Sequence, residues 1–117
     1  MRIGILGAAS IARDRFLPSL SKQDLVKCVA IAARNPEGER IKEISERYNI
    51  DIYESYDAII EDQTIDSVYI PLPPALHFEW AKKALNAGKN VFLEKPATIT
   101  YKQIEELVSL AKTNNLA

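Results

Sequence analysis

Residues 2–12 read RIGILGAASIA, and the reading of this stretch decides the fold. Ile3, Ile5 and Leu6 make an apolar strand that stops at Gly7, and from Ile11 the chain takes up a helical period. A strand that turns sharply into a helix leaves the first helical N–H groups bare, and their dipoles favour an anion. The glycine fingerprint of such a phosphate turn is G-x-G-x-x-G/A. Gly7 fits the tight turn, Ala9 stands at the second glycine, and Ala12 fits the third, helix-packing position. Alanine at position 9 keeps the backbone approachable but weakens the match. A plain tight turn is the competing reading, and the rest of the chain bears on the choice.

Beyond the turn, short apolar runs alternate with helix-period segments, the pattern of stacked βαβ units. A helix is expected from Ile11 to about Leu20, disturbed at Pro18. VKCVAIAA (residues 26–33) is almost continuously apolar, as a parallel strand covered on both faces should be. Asn35 and Pro36 offer a cap and a first-turn proline to a helix with Ile41, Ile44, Ser45 and Tyr48 inward. DIYE (51–54) is a weak third strand, followed by a short helix over 56–61, and SVYIPL (67–72) is the fourth. The helix over 75–87 is expected to bury Leu76, Trp80, Ala81, Ala84 and Leu85, and Gly88 ends it. NVFLE (90–94) is the fifth strand. Thr100 and Gln103 form a capping box for a last helix carrying Ile104, Leu107, Val108 and Ala111. The expected fold is therefore α/β: one doubly wound, mostly parallel sheet of about five strands over residues 1–117.

Composition narrows the function. The 117 residues are 47% apolar and 26% charged, as in a soluble globular domain, and the formal net charge is −1. Scattered basic residues and near-neutral charge give no footprint for nucleic acid or an anionic membrane. No apolar run approaches the ~20 residues that span a bilayer. The start enters a strand directly, without the layout of a signal peptide, so a cytoplasmic location is expected. Cys28 is the single cysteine and His77 the single histidine, which argues against a disulfide or a metal cluster. Within its apolar run Cys28 reads as a small buried hydrophobe.

Three further places carry candidate chemistry. Dinucleotide folds that prefer NAD place Asp or Glu at the end of the second strand, on the ribose 2′-hydroxyl. Here Ala33 and Arg34 stand there, with no carboxylate before Glu37. A guanidinium suits a 2′-phosphate, so NADP is expected ahead of NAD; an ordinary surface arginine is the alternative. Pro71, Pro73 and Pro74, around Leu72, make a stiff crossing at the carboxyl edge of the sheet, where open α/β sheets bind ligands. His77 follows in the first turn of the next helix, as a packing or capping residue or as a cofactor contact. Finally, the strand NVFL ends on Glu94, Lys95 and Pro96, a charged pair closed by a proline that forbids regular continuation.

These residues together resemble the N-terminal domain of the glucose–fructose oxidoreductase, inositol dehydrogenase and rhizopine-catabolism (Gfo/Idh/MocA) family, a Rossmann fold. The resemblance rests on GILGAASIA, the strand ending in ARN and IDSVYIPLPPALHFEWAKKALNAGKNVFLEKPAT, with the EKP tripeptide the most specific part. It covers essentially the whole chain. It implies NAD(P)-dependent oxidation or reduction of a sugar, cyclitol or related polyol. It implies that Lys95 is catalytic, beside the nicotinamide, with Glu94 on the nicotinamide side and Pro96 fixing the turn. Gly7, Ala8, Ala9, Ser10, Ile11 and Ala12 would hold the pyrophosphate, Ala33 and Arg34 the adenosine side, and Pro71, Leu72 and His77 the crossing. Family members often have Asn after the proline that follows the fourth strand; Pro74 departs from that.

The resemblance also implies a second, C-terminal α/β domain, mostly antiparallel, that covers the nicotinamide and supplies further catalytic residues. The expectation is a cofactor-binding part without that domain or the sheet's sixth strand, and inactive alone. A non-catalytic NAD(P)-sensing module of the same fold is the alternative, and an intact Lys95 argues for chemistry. The free edge of the fifth strand gives reason to expect a homo-oligomer.

Overall fold

A computed structural model describes residues 1–8, 17–20, 26–34, 38–72, 74–93 and 101–114. The elements run β1 (Arg2–Leu6), α1 (Leu17–Leu20), β2 (Lys27–Ala32), α2 (Glu39–Tyr48), β3 (Asp51–Ile52), α3 (Tyr56–Glu61), β4 (Ser67–Ile70), α4 (Pro74–Asn86), β5 (Asn90–Leu93) and α5 (Tyr101–Thr113). The five strands form one sheet in the order β3-β2-β1-β4-β5, and each adjacent pair is parallel. This is the doubly wound Rossmann-like sheet that the alternation of strands and helices predicts.

Side chains leave each strand alternately to the two faces, and both faces are covered. Leu6, Ala30, Ala32, Val68 and Ile70 point to one side, under Ile59 of α3, Ala81, Ala84 and Leu85 of α4, and Leu107 of α5. Ile3, Ile5, Ile31 and Tyr69 point to the other, under Leu17 of α1 and Ile41 and Ile44 of α2. The strand order reverses at β1, whose neighbours are β2 and β4, and this is the switch point at whose carboxyl side a crevice opens.

The helix ends follow from local chemistry. Ser55 caps α3, its hydroxyl accepting from the Ala58 N–H at 3.0 Å. Gly88, with φ +82°, ends α4 in a Schellman motif: the Lys89 N–H reaches the Ala84 carbonyl at 3.0 Å and the Gly88 N–H reaches that of Leu85 at 3.1 Å. Four expectations need correction. The second helix begins at Glu39, after an extended Gly38, and not on an Asn35–Pro36 start; residues 35 and 36 lie outside the described set. Leu76 of α4 is 38% exposed, because the inward stripe is His77, Ala81, Ala84 and Leu85. Val108 of α5 is 47% exposed, because Leu107, Leu110 and Ala111 face α4 and the sheet. Cys28 is half-buried, and burial pushes its thiol up to about 12, so it is inert.

Most of the expected helix after the first turn, and Thr100 of the expected capping box, lie outside the described residues. No helix among the described residues is long and apolar enough to cross a membrane. On β5, which pairs with β4 alone among the described strands, Phe92 is 44% exposed.

Candidate functional site

At the carboxyl side of the switch point, β1 ends on Gly7, whose N–H donates to the Ala32 carbonyl of β2 at 2.7 Å. Its φ of +118° is closed to L side chains, and an added Cβ would lie 2.9 Å from the Leu72 side chain. The glycine therefore does two things: it turns the chain, and it lets the crossing after β4 come down onto the first loop. Where these segments meet is a cavity of about 310 Å³.

The fold brings together Gly7, Ala8, Ala33, Arg34, Pro71 and Leu72, six residues from three loops far apart in sequence, all on this cavity. Four more described residues, not singled out as site candidates in the sequence, also line it: Gly38, Arg40, Ile41 and Tyr56. A signal for Arg40 was present, a second arginine in the first turn of the helix after β2. Its guanidinium Nη1 donates to the Ala8 carbonyl at 3.3 Å, linking α2 to the first loop. Among the described residues no carboxylate lines the cavity, and neither Arg34 nor Arg40 is ion-paired. Burial raises the Tyr56 hydroxyl above its ordinary pKa, opposed by the main chain and guanidinium of nearby Arg34.

His77 is elsewhere. It is only 1% exposed, does not line the cavity, and neither ring nitrogen has a hydrogen-bond partner among the described residues. Ala9, Ser10, Ile11, Ala12, Glu94 and Lys95 lie outside the described residues. No cluster of His, Cys, Asp and Glu among the described residues would hold a metal ion.

The donor set fits a dinucleotide. A glycine turn opens the backbone at the end of β1, two guanidiniums can pair with a phosphate, and apolar Leu72 and Ile41 offer walls. A parallel Rossmann-like sheet with this crevice defines a nucleotide-binding α/β domain. The comparisons agree: the family described as oxidoreductase family, NAD-binding Rossmann fold, the Gfo/Idh/MocA family, matches residues 1–117, and the chain belongs to it. It is an NAD(P)-binding domain of that family.

Among its relatives is a dTDP-3,4-didehydro-2,6-dideoxy-alpha-D-glucose 3-reductase of Actinomadura kijaniata, 41% identical over 99% of this chain and 34% of the relative. The enzyme of the same name from Saccharopolyspora spinosa is 40% identical, with the same coverage. Among solved structures, the 3-ketoreductase KijD10 of Actinomadura kijaniata, in complex with NADP and TDP-benzene, superposes with a TM-score of 0.92 at 41% identity, over 99% of this chain and 35% of that one. A dehydrogenase (MviM) of Clostridium difficile gives 0.86 at 28% identity, over 99% of this chain and 37% of that one. The chain thus spans about a third of the length of the relatives it matches.

Proposed function

We propose that this chain is the cofactor-binding part of an NADP(H)-dependent oxidoreductase that acts by hydride transfer on a carbonyl or hydroxyl carbon of a sugar. A nucleotide-linked keto sugar is the first candidate, since the relatives include 3-ketoreductases of dTDP-linked sugars. The observation that carries the reading is the cavity at the switch point, lined among the described residues by Arg34 and Arg40 and by no carboxylate. An acid there would select the free 2′-hydroxyl of NAD, whereas two cations favour the additional phosphate of NADP.

When bound, the dinucleotide supplies the hydride for reduction or accepts it in oxidation. The chain's residues do the rest. Gly7 and Ala8 present the open backbone of the first loop, Arg34 and Arg40 hold the adenosine end, and Pro71 and Leu72 keep the crossing stiff and close. In this reading Lys95 donates the proton that converts the developing alkoxide to a hydroxyl, and takes it back in the reverse direction. An unperturbed lysine, near 10.4, is a poor base at neutral pH, so the role needs burial or a neighbouring positive charge to lower it. A second domain in the longer protein would close the substrate side, so the 117-residue chain alone turns over no sugar.

The test is made in the longer protein, with a dTDP-linked keto sugar and NADPH. Lys95→Met should lower kcat by about 10²–10⁴, the usual range for losing a general acid–base, with the Kd for NADPH little changed. Unaltered kcat would remove Lys95 from the chemistry.

A further inference from the structure

Tyr56 opens α3 and lines the cavity with Arg34 and Arg40, although the sequence gives no motif for it. Its position is held from several sides. Ser55 caps the helix at its foot, the ring meets Trp80 edge-on at 5.0 Å and 84°, and Lys83 Nζ lies 4.3 Å from the centre of the Trp80 ring. The same Lys83 is 3.8 Å from Asp57, the residue after Tyr56. A ring fixed by this chain of contacts has already lost its rotamer freedom, so a ligand that uses its hydroxyl need not meet that cost on binding. For packing alone phenylalanine would serve. The hydroxyl lies instead beside Arg34, whose main chain and guanidinium both act on it.

We propose that Tyr56 is a specificity-determining residue of the cofactor site, its hydroxyl donating a hydrogen bond to the phosphoryl group on the adenosine 2′-oxygen of the dinucleotide, beside Arg34 and Arg40. The inference rests on the NADP reading of Arg34 given above. A phenol is protonated at neutral pH, and burial raises this one further, so it donates a hydrogen bond to a phosphate and does not repel it. A carboxylate in that place would do the reverse, which is how NAD-selective sites work. With a bare 2′-hydroxyl as partner, the same phenol gains only a neutral hydrogen bond or none.

The test uses fragments that carry the adenosine end alone, so that the substrate side plays no part. Adenosine 2′,5′-bisphosphate and 5′-AMP are titrated into the chain, followed by calorimetry and by fluorescence of Trp80, its single tryptophan and the neighbour of the Tyr56 ring. Tyr56→Phe keeps the ring contact and removes the hydroxyl. The bisphosphate should bind about tenfold more weakly to it, the loss of a hydrogen bond to a charged group, with 5′-AMP affinity and melting temperature held. Equal affinity of wild type and Tyr56→Phe for the bisphosphate, or an equal loss for both ligands, would overturn the proposal. Arg34→Ala separates the two readings. If it leaves bisphosphate affinity intact, the NADP reading itself falls. If it removes the preference while Tyr56→Phe does not, the tyrosine inference alone fails.

Discussion

The two ends of the sheet treat their polar groups in opposite ways. At the amino end they satisfy one another. The Arg2 N–H donates to Asp66 at 2.8 Å and its Nε to the Thr64 carbonyl at 3.0 Å. Lys89, 5% exposed, reaches the carbonyls of Asp62 and Ile65 at 2.8 and 2.7 Å, and Asp62 accepts from the Thr64 N–H and from the Tyr53 hydroxyl. At the carboxyl end, Gly7 holds a φ that only glycine takes easily, and two guanidiniums line a cavity that shows no carboxylate among the described residues. Satisfied polar groups stabilise; cations gathered at a cavity favour an anion from outside. One end of this sheet is built for folding, and the other for a ligand.

That contrast can be broken from either side, and the largest effect should come from the amino end. Lys89→Met removes the donor from two carbonyls on the loop into β4; that of Asp62 keeps the Ile65 N–H at 3.2 Å, and a buried carbonyl left without a partner costs about 1–3 kcal/mol. We expect a loss of about 1–3 kcal/mol in denaturant unfolding with cofactor affinity within about twofold of wild type, since the residue touches no part of the cavity. A parallel loss of cofactor affinity would show the two ends to be coupled.

Gly7→Ala should do the converse. The strained backbone costs about 1–3 kcal/mol, and the new Cβ also pushes Leu72 away from the first loop. Dinucleotide affinity should fall at least about tenfold, more than the melting temperature alone would suggest; unchanged affinity would remove this turn from the site.

The smallest effect is acid sensitivity. Hydrogen bonds from Thr64 and Tyr53 draw the Asp62 carboxyl down from the ordinary 3.8 to about 2. A folded-state pKa below the unfolded one contributes stability that is present in full above pH 3.8 and is lost as pH falls through about 2. Asp62→Asn should therefore melt below wild type at pH 6, and the gap should close towards pH 2. A gap that stays constant down to pH 2 would show that the carboxylate's charge contributes nothing.

The residues that could be read in advance, and those that could not, separate along local and long-range lines. The strands, the short helix over 56–61 and the Gly88 ending were legible because period, capping and positive φ are local properties. That Gly7, Ala8, Ala33, Arg34, Pro71 and Leu72 would come together at one edge was legible because doubly wound sheets put strand ends there. Tyr56 and Arg40 were not, since their place on the cavity depends on how α2 and α3 pack beside β1 and β2. Leu76 was misread because hydrophobicity suggested an inward residue, while the helix phase that buries Ala81 and Ala84 gives the slot to His77. Similarly, Leu110 rather than Val108 completes the packed stripe of α5.

The central claim, that the carboxyl edge receives a dinucleotide bearing a 2′-phosphate, is tested most directly by titrating NADPH and NADH into the chain and into its Arg34→Ala/Arg40→Ala variant. The account predicts tighter binding of NADPH by wild type, and a loss of about 10- to 100-fold in the variant for NADPH alone, as expected for removing charge-assisted hydrogen bonds. Equal affinity of wild type for the two cofactors, or an equal loss of both in the variant, would contradict it.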